Sequence, residues 1–161
     1  MIKTIEPILN DVQIDYYKSI VKSSIEFEKP TFYKDGYQNW YLRYLLNDTE
    51  SENIKKIIQQ RGYINDIFTF EKAWINIVDN TTNQNDSYHK DKSDRTIIIY
   101  LNEDFKGGNF QYYKNKEMFE ITPKQGLSIL MDNELMHRVT PVLDGMRYSL
   151  VIFIKKEKTL L

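Results

Sequence analysis

Cysteine is absent from the 161 residues of the chain, and histidine occurs only twice. Without cysteine the protein has no disulfide, no thiolate-bound zinc or iron–sulfur cluster and no thiol nucleophile. No stretch approaches the 18 or so apolar residues of a transmembrane helix, and residues 1–13 lack the apolar core of a signal peptide. We therefore expect a cytoplasmic protein, or one of the host cytoplasm if the gene is viral.

Net charge is also nearly absent, at −1. A protein that coats nucleic acid needs a basic surface, so we expect a peptide or small-molecule partner rather than nucleic acid or a membrane. Apolar residues make up 41% of the chain, which suffices for a hydrophobic core. The length predicts one domain over 1–161, with helical support over about 1–65 and a β core over about 66–156.

Two helices are predicted in the first part of the chain, where apolar residues recur at helical spacing. The first begins at Asn10 or Asp11. Its apolar stripe consists of Ile14, Tyr17, Val21 and Ile25. The second has Thr49 and Glu52 at the spacing of a capping box, and Gly62 provides its end. Its stripe consists of Ile54, Ile57 and Ile58.

From Ile67 onward the apolar pattern changes to a period of two, which predicts strands. The predicted strands are 67–78, 95–102, 108–113, 118–122, 127–131, 137–142 and 147–154. Asp144-Gly145 has the composition of a two-residue hairpin turn. Strands without helices between them cannot form a parallel sheet, so we expect an antiparallel sandwich or jelly roll with the helices against one face. The segment 36–48 fits either helix or strand.

Both histidines stand in informative surroundings. His89 and Asp91 are two positions apart, so in an extended segment their side chains point to the same side and can bind one ion. Alone, such a pair is more typical of a solvated loop than of a metal site. His137 would complete a set of two imidazoles and one carboxylate, which leaves three positions on iron(II) open for a 2-oxo acid and dioxygen. A closed zinc site would need a fourth ligand, although a three-ligand catalytic zinc stays open by ligand count.

An arginine follows the second histidine by ten residues. If Asp144-Gly145 forms a hairpin, the strands of His137 and Arg147 pair, and Arg147 lies five residues along from His137, roughly 17 Å away. That gap would suit a five-carbon diacid between metal and guanidinium, because the planar fork of arginine binds a carboxylate through two hydrogen bonds. Ser149 shares the face of Arg147 and can support the same carboxylate.

Five runs of sequence carry a family resemblance. They are His89-Lys90-Asp91, Ile99-Tyr100-Leu101-Asn102, Gly107-Gly108-Asn109-Phe110, Pro123-x-x-Gly126 and the run HRVTPVLDGMRYSL at 137–150. In their order and spacing, residues from about 73 to 154 resemble the catalytic core of the prolyl-4-hydroxylase-like 2-oxoglutarate/iron(II) oxygenases, especially the short microbial and phage members.

The resemblance implies a mostly β fold with N-terminal helices, the cupin-like jelly roll known as the double-stranded β-helix. It implies His89, Asp91 and His137 as iron(II) ligands, Arg147 as the partner of the C5 carboxylate of 2-oxoglutarate, and Tyr100 as a further contact of that carboxylate. The implied reaction consumes dioxygen, releases succinate and CO2, and hydroxylates a substrate, here a peptidyl proline. Ascorbate is an expected reductant of idle iron in this family.

The chain departs from its relatives at several positions. Many relatives have a tyrosine where this chain has the segment 76–78, so Asn76 is either a polar ligand of the co-substrate or a structural residue. Trp40, Trp74 and Arg95 either contact substrate or pack. The loop 79–88 and a turn at 104–107 are expected to border the substrate entrance.

Other functions remain open at this point. The same chemistry could act on a free amino acid, a small metabolite or a nucleobase. Nucleic-acid dealkylases of this superfamily usually carry a second arginine six residues after the first, where this chain has Phe153. A non-catalytic jelly-roll metal-binding protein would not need Arg147, and a zinc hydrolase would need a general-base glutamate beside a ligand, which we do not find.

Overall fold

Two helices and twelve strands make up the part of the chain that the computed structural model describes. These residues are 1–23, 31–34, 37–40, 42–82 and 87–158, with the backbone alone at 31–34 and 37–40. The helices are α1 (Asp11–Ser23) and α2 (Asp48–Gln60). The strands are β1 (Ile2–Ile5), β2 (Thr31–Lys34), β3 (Tyr37–Trp40), β4 (Leu42–Leu45), β5 (Phe68–Asp79), β6 (Arg95–Tyr100), β7 (Phe105–Gly107), β8 (Phe110–Lys114), β9 (Glu117–Ile121), β10 (Ser128–Asp132), β11 (His137–Val139) and β12 (Val142–Lys156).

The strands form two antiparallel sheets and a separate hairpin. The larger sheet has the order β1-β10-β6-β12-β5-β4, and β7 pairs with the beginning of β12. The smaller sheet has the order β11-β8-β9, and β2 pairs with β3. Apolar side chains of both sheets meet in one cluster that includes Ile98, Val151 and Phe110. The predicted antiparallel jelly roll, a double-stranded β-helix, is confirmed.

The second core lies on the opposite face of the larger sheet, where both helices pack. Isoleucines at alternate positions of β5, Ile75 and Ile77, join Ile14 of α1 and Ile54 of α2 in this core. The predicted stripe of α1 is confirmed at Ile14, Tyr17 and Val21, and Ile25 lies outside the described residues. Neither helix of the described residues has the length and hydrophobicity of a membrane span. The helices therefore cover one face of the larger sheet and leave the other face to the smaller sheet.

The predicted cap of α2 is wrong. The helix is capped by Asn47, two residues before Thr49: the Asn47 side chain accepts a hydrogen bond from the Glu50 amide, and the Glu50 side chain accepts one from the Asn47 amide. Thr49 and Glu52 lie within the helix. Glu50 is buried and also accepts a hydrogen bond of 2.8 Å from the Tyr44 hydroxyl, which ties the cap to β4. This tertiary contact explains why the earlier of two possible capping boxes is used.

The predicted hairpin at Asp144-Gly145 is also wrong. The strand β12 runs through both residues, and its register against β7 shifts between Val142 and Asp144, so a β-bulge lies directly before the dipeptide. Gly145 has φ +77°, and a Cβ there would lie 2.7 Å from the carbonyl oxygen of Asp104. A glycine of positive φ is accommodated next to a bulge as well as in a hairpin turn, so the dipeptide does not distinguish the two. The turn expected at 104–107 is instead largely the strand β7.

Gly107 provides a test of this strand arrangement. It has φ +75°, and a Cβ there would collide with the carbonyl oxygen of Pro141. We expect Gly107→Ala to lower the free energy of unfolding by about 3 kcal/mol, since left-handed strain and a backbone clash add up. Gly62→Ala is the matched control, because Gly62 has φ +80° and nothing within 4 Å of the added Cβ. It should cost about 1 kcal/mol. Equal losses in urea unfolding of the two variants would contradict the close approach.

Candidate metal and co-substrate site

His89, Asp91 and His137 converge, and each offers a ligand atom within 4.8 Å of the other two. His89 and His137 form an isolated antiparallel bridge, with backbone hydrogen bonds of 2.9 and 3.0 Å in the two directions. Asp91 Oδ1 lies 3.7 Å from His89 Nε2 and 3.4 Å from His137 Nε2. The loop before β6 and the first residue of β11 therefore bring the three groups to one point.

Backbone carbonyls orient both imidazole rings. His89 Nδ1 lies 2.9 Å from the carbonyl oxygen of Ser87, and His137 Nδ1 lies 3.0 Å from that of Leu135. A carbonyl oxygen accepts from a protonated Nδ1, which leaves the Nε2 lone pair for a metal ion. The Phe110 ring stacks on the His137 ring at 5.3 Å and 16°. With two oriented imidazoles and one carboxylate, the donor set fits a divalent transition metal.

A hydroxyl group holds the carboxylate of Asp91. The Thr96 hydroxyl donates a hydrogen bond of 2.6 Å to Oδ2, which leaves Oδ1 facing the two histidines. Burial raises the pKa of Asp91, but when the imidazoles carry a proton on Nε2 in place of a metal, hydrogen bonds from His137 and Thr96 and the charges of both histidines outweigh burial, so the net pKa is below the ordinary value. The carboxylate is therefore held ionised and oriented through one oxygen.

The three groups line a cavity of about 320 Å³ between the two sheets. Arg147 and Asn76 line the same cavity from the larger sheet. Arg147 is buried at 7% exposure and is paired with Val78 of β5. The predicted pairing of the His137 and Arg147 strands is wrong, because β11 pairs with β8 and β12 pairs with β5, β6 and β7. Arg147 therefore reaches the cavity from the sheet opposite the one that contains His137, and not from a strand paired with the strand of His137.

The remaining predicted residues form one row across the larger sheet. Ser149 is the register partner of both Tyr100 and Asn76, so the three side chains lie on one face. Asn76 lines the cavity, and its Oδ1 is buried with no hydrogen-bond partner among the described residues. Tyr100 and Ser149 are buried beside the cavity rather than in its described wall. Burial raises the pKa of Tyr100 to about 12, although the charge of Arg147 opposes this, so its hydroxyl stays a neutral donor.

The residues considered for substrate contact differ in whether they line the cavity. Trp74 and Phe153 line the cavity, with ring centroids 4.5 Å apart. Arg95 is not part of the described cavity wall, and its guanidinium lies over the Phe68 ring at 3.6 Å. The Trp40 side chain and residues 83–86 of the expected entrance loop lie outside the described residues.

Two supporting side chains, Thr96 and Phe110, were not predicted as part of the site. The signal for Thr96 is the alternation along β6, which places Thr96 on the inward face together with Ile98 and Tyr100. Phe110 comes directly after the Gly-Gly-Asn run of the family resemblance. Its contact with His137 depends on the pairing of β8 with β11, which the local sequence does not reveal.

Comparison with known proteins agrees with this geometry. The family model of the 2OG-Fe(II) oxygenase superfamily matches residues 76–155, about half of the chain. This stretch contains all three metal-site residues together with Tyr100 and Arg147. No curated protein sequence matches the chain significantly.

Several solved structures share the fold. A viral collagen prolyl hydroxylase of Paramecium Bursaria Chlorella virus-1 is 18% identical with TM-score 0.68, covering 98% of this chain and 90% of that one. A prolyl-4-hydroxylase of Pseudomonas putida is 13% identical with TM-score 0.72, covering 94% and 91%. HygX of Streptomyces hygroscopicus, with nickel, 2-oxoglutarate and hygromycin B bound, is 9% identical with TM-score 0.71, covering 96% and 82%.

Because the family model, the fold and the arrangement of the three metal-site residues agree, the chain belongs to the 2OG-Fe(II) oxygenase superfamily and is a dioxygenase dependent on iron(II) and 2-oxoglutarate.

Proposed function

We propose that the protein hydroxylates a peptidyl proline, with His89, Asp91 and His137 as the iron(II) ligands and Arg147 as the partner of the C5 carboxylate of 2-oxoglutarate. The observation that carries this proposal is the convergence of these four side chains on one cavity. When bound, iron(II) and 2-oxoglutarate supply the oxidation: one oxygen atom of O2 enters succinate as CO2 leaves, and the other enters a C–H bond of the substrate.

The metal-site residues leave part of the coordination sphere to the co-substrate and to dioxygen. His89, Asp91 and His137 would supply three ligands to a bound metal, whose remaining positions would be available to ligands in the cavity that these residues line. Thr96 restricts Asp91 to one ligating oxygen, because its hydroxyl occupies Oδ2. The backbone carbonyls at Ser87 and Leu135 keep both imidazoles turned toward the same point.

The co-substrate is held by the larger sheet. The guanidinium of Arg147 can bind a carboxylate through two hydrogen bonds, and its burial strengthens this ion pair. The neutral hydroxyl of Tyr100 and the hydroxyl of Ser149 are further donors on the same face. Asn76 presents an amide to the cavity, whose N–H group can donate to the same ligand.

Cavity size and lining favour a single side chain as the group to be oxidised. A volume of about 320 Å³ is near the lower end of ligand pockets, about 300–1,000 Å³, so 2-oxoglutarate leaves room for one small ring. The faces of Trp74 and Phe153 offer an apolar surface for a pyrrolidine ring. Two proteins of similar fold are prolyl hydroxylases. The net charge of −1 provides no general attraction for a phosphate backbone.

A small molecule is the second candidate substrate. HygX, which has a similar fold, was crystallised with hygromycin B. Succinate formation should be measured with proline peptides, free amino acids and small metabolites, together with mass spectrometry of each product. We expect proline peptides to gain one oxygen atom with an equal amount of succinate. If peptides leave succinate formation at background while a free amino acid or metabolite raises it, the substrate is not a peptide.

The hydroxyl of Thr96 should contribute to metal affinity. We expect Thr96→Val to weaken nickel(II) binding by about tenfold, because a partner that orients a metal ligand is lost, a change that typically costs 10- to 100-fold. Thr96→Ser keeps the hydroxyl and should bind nickel(II) nearly as the wild type does. Calorimetric titration of both variants measures the difference, and equal affinities would show that Asp91 does not need this hydrogen bond.

A further inference from the structure

A lysine of β5 lies just beyond the cavity wall, next to two aromatic rings that line the cavity. Lys72, Trp74 and Asn76 occupy alternate positions of β5 and therefore face the same side. Lys72 is paired with Phe153 of β12. Its Nζ lies 5.2 Å from the Trp74 ring centroid and 5.7 Å from that of Phe153. From exposed Lys72 to half-buried Asn76, this row leads from solvent into the cavity.

A second cation lies close to the Trp74 ring. It is Arg43 of the edge strand β4, with its Cζ 4.1 Å from the Trp74 ring centroid. Among the described residues of the cavity wall, Asp91 is the one carboxylate, and it belongs to the metal site. Within the described part of the chain, Lys72 has ring contacts and no carboxylate within ion-pair distance. A substrate that approaches along Trp74 and Phe153 therefore meets the Lys72 ammonium, which has no carboxylate partner among the described residues.

The rings also restrict the lysine. An ammonium group over aromatic faces is attracted by their negative quadrupole, and its alkyl stem covers apolar surface. A cation restrained in this way loses less conformational entropy on forming an ion pair than a lysine free in solvent. Partial shielding from water by the rings further strengthens attraction to an incoming carboxylate.

We propose that Lys72 selects substrates that carry a carboxylate next to the hydroxylated residue, namely peptides with aspartate or glutamate flanking the target. This inference rests on the proposed function, because it takes the Trp74–Phe153 end of the cavity as the substrate side of the active site. The target side chain lies against the two rings, and the neighbouring carboxylate binds the Lys72 ammonium at the entrance. The α-carboxylate of a free amino acid has the same chemistry, so the two sources have to be compared directly.

The test uses matched peptides on the full-length enzyme. Each pair contains one proline and differs by aspartate or asparagine at one position before or after it; proline and prolinamide form the corresponding free amino-acid pair. For each pair, kcat/KM for coupled succinate formation is measured with wild type, Lys72→Gln, Lys72→Glu and Lys3→Gln. Lys3 is the control because it is exposed on β1, at the opposite edge of the larger sheet. Calorimetric binding of the same pairs to protein loaded with nickel(II) and 2-oxoglutarate provides a readout that does not depend on turnover.

For at least one flanking position we expect wild type and Lys3→Gln to prefer the acidic peptide by about fivefold, the upper range for an ion pair near the surface. Lys72→Gln should bring this ratio to about one, and Lys72→Glu should reverse it. A ratio near one in the wild type, or an unchanged ratio in Lys72→Gln, overturns the inference even if proline is hydroxylated. A preference confined to proline over prolinamide supports selection by Lys72 through an α-carboxylate and contradicts the peptide substrate. Absence of a charge preference in both turnover and binding also overturns it.

Discussion

His89→Ala and His137→Ala should each abolish 2-oxoglutarate turnover while the protein stays folded. Either change leaves two protein ligands, and an imidazole whose Nδ1 is fixed by a backbone carbonyl has no nearby replacement in the described chain. Loss of one of three ligands should lower succinate formation by more than about 100-fold, beyond the 10- to 100-fold effect typical of outer-sphere partners. Activity close to that of the wild type in either variant would refute the ligand assignment.

The two variants differ in their structural side effects. His89 is exposed, so His89→Ala should leave the thermal midpoint nearly unchanged. His137 is 4% exposed and stacks on Phe110, so His137→Ala should also lower stability. Circular dichroism and thermal unfolding distinguish activity lost through the missing imidazole from activity lost through unfolding. His89→Ala is consequently the cleaner test, and calorimetry with nickel(II) should show weakened binding in both variants.

The convergence of His89, Asp91 and His137 was predictable because the sequence signals for it are local or depend on the rarity of histidine. The spacing of His89 and Asp91 requires only an extended segment, and His137 was the one other histidine available. The stripe of α1 and the alternation of β5 and β12 likewise depend on short-range periodicity. These patterns report which face of an element is apolar, and the structure places each of these faces against a core.

The approach of Arg147 to the cavity could not be predicted in this way. A hairpin turn and a strand next to a bulge both accommodate a glycine of positive φ, and long-range pairing of β12 with β7 decides between them. Short edge strands are likewise determined by long-range pairing. The strand β1 was not predicted, and it exists because Ile2–Ile5 pairs with β10, more than 120 residues later. Three or four residues carry too little periodicity to reveal such a strand.

The structure also gives a different origin for the distance between Arg147 and His137. Along a hairpin, its distance from His137 would have been fixed by counting residues on neighbouring strands. Across the sandwich, the separation is set by the packing of the two sheets, with Phe110 and Val151 in the shared core. Substitutions in that core should therefore alter co-substrate binding without touching a ligand, a coupling that the hairpin arrangement would not produce.

Arg147→Ala should raise the KM for 2-oxoglutarate by more than about 100-fold. The variant leaves the far carboxylate in a buried site without its cation, which typically costs 3–5 kcal/mol, and each 1.4 kcal/mol is tenfold in affinity. Arg147→Lys should be impaired less, because a point charge replaces the two-pronged guanidinium. Arg95→Ala is the matched control, since Arg95 packs on Phe68 and lies outside the described cavity wall.

A co-substrate without the far carboxylate distinguishes lost binding from general damage. Wild type should use 2-oxobutyrate, a 2-oxo acid with one carboxylate, far less efficiently than 2-oxoglutarate, because it offers the buried guanidinium no second carboxylate to bind. In Arg147→Ala the ratio of kcat/KM for these two acids should fall toward one, whereas Arg95→Ala should keep the wild-type ratio. If Arg147→Ala lowered kcat/KM by the same factor for both acids, the arginine would support the fold of the cavity rather than bind the C5 carboxylate. An unchanged KM for 2-oxoglutarate would place the diacid elsewhere in the cavity.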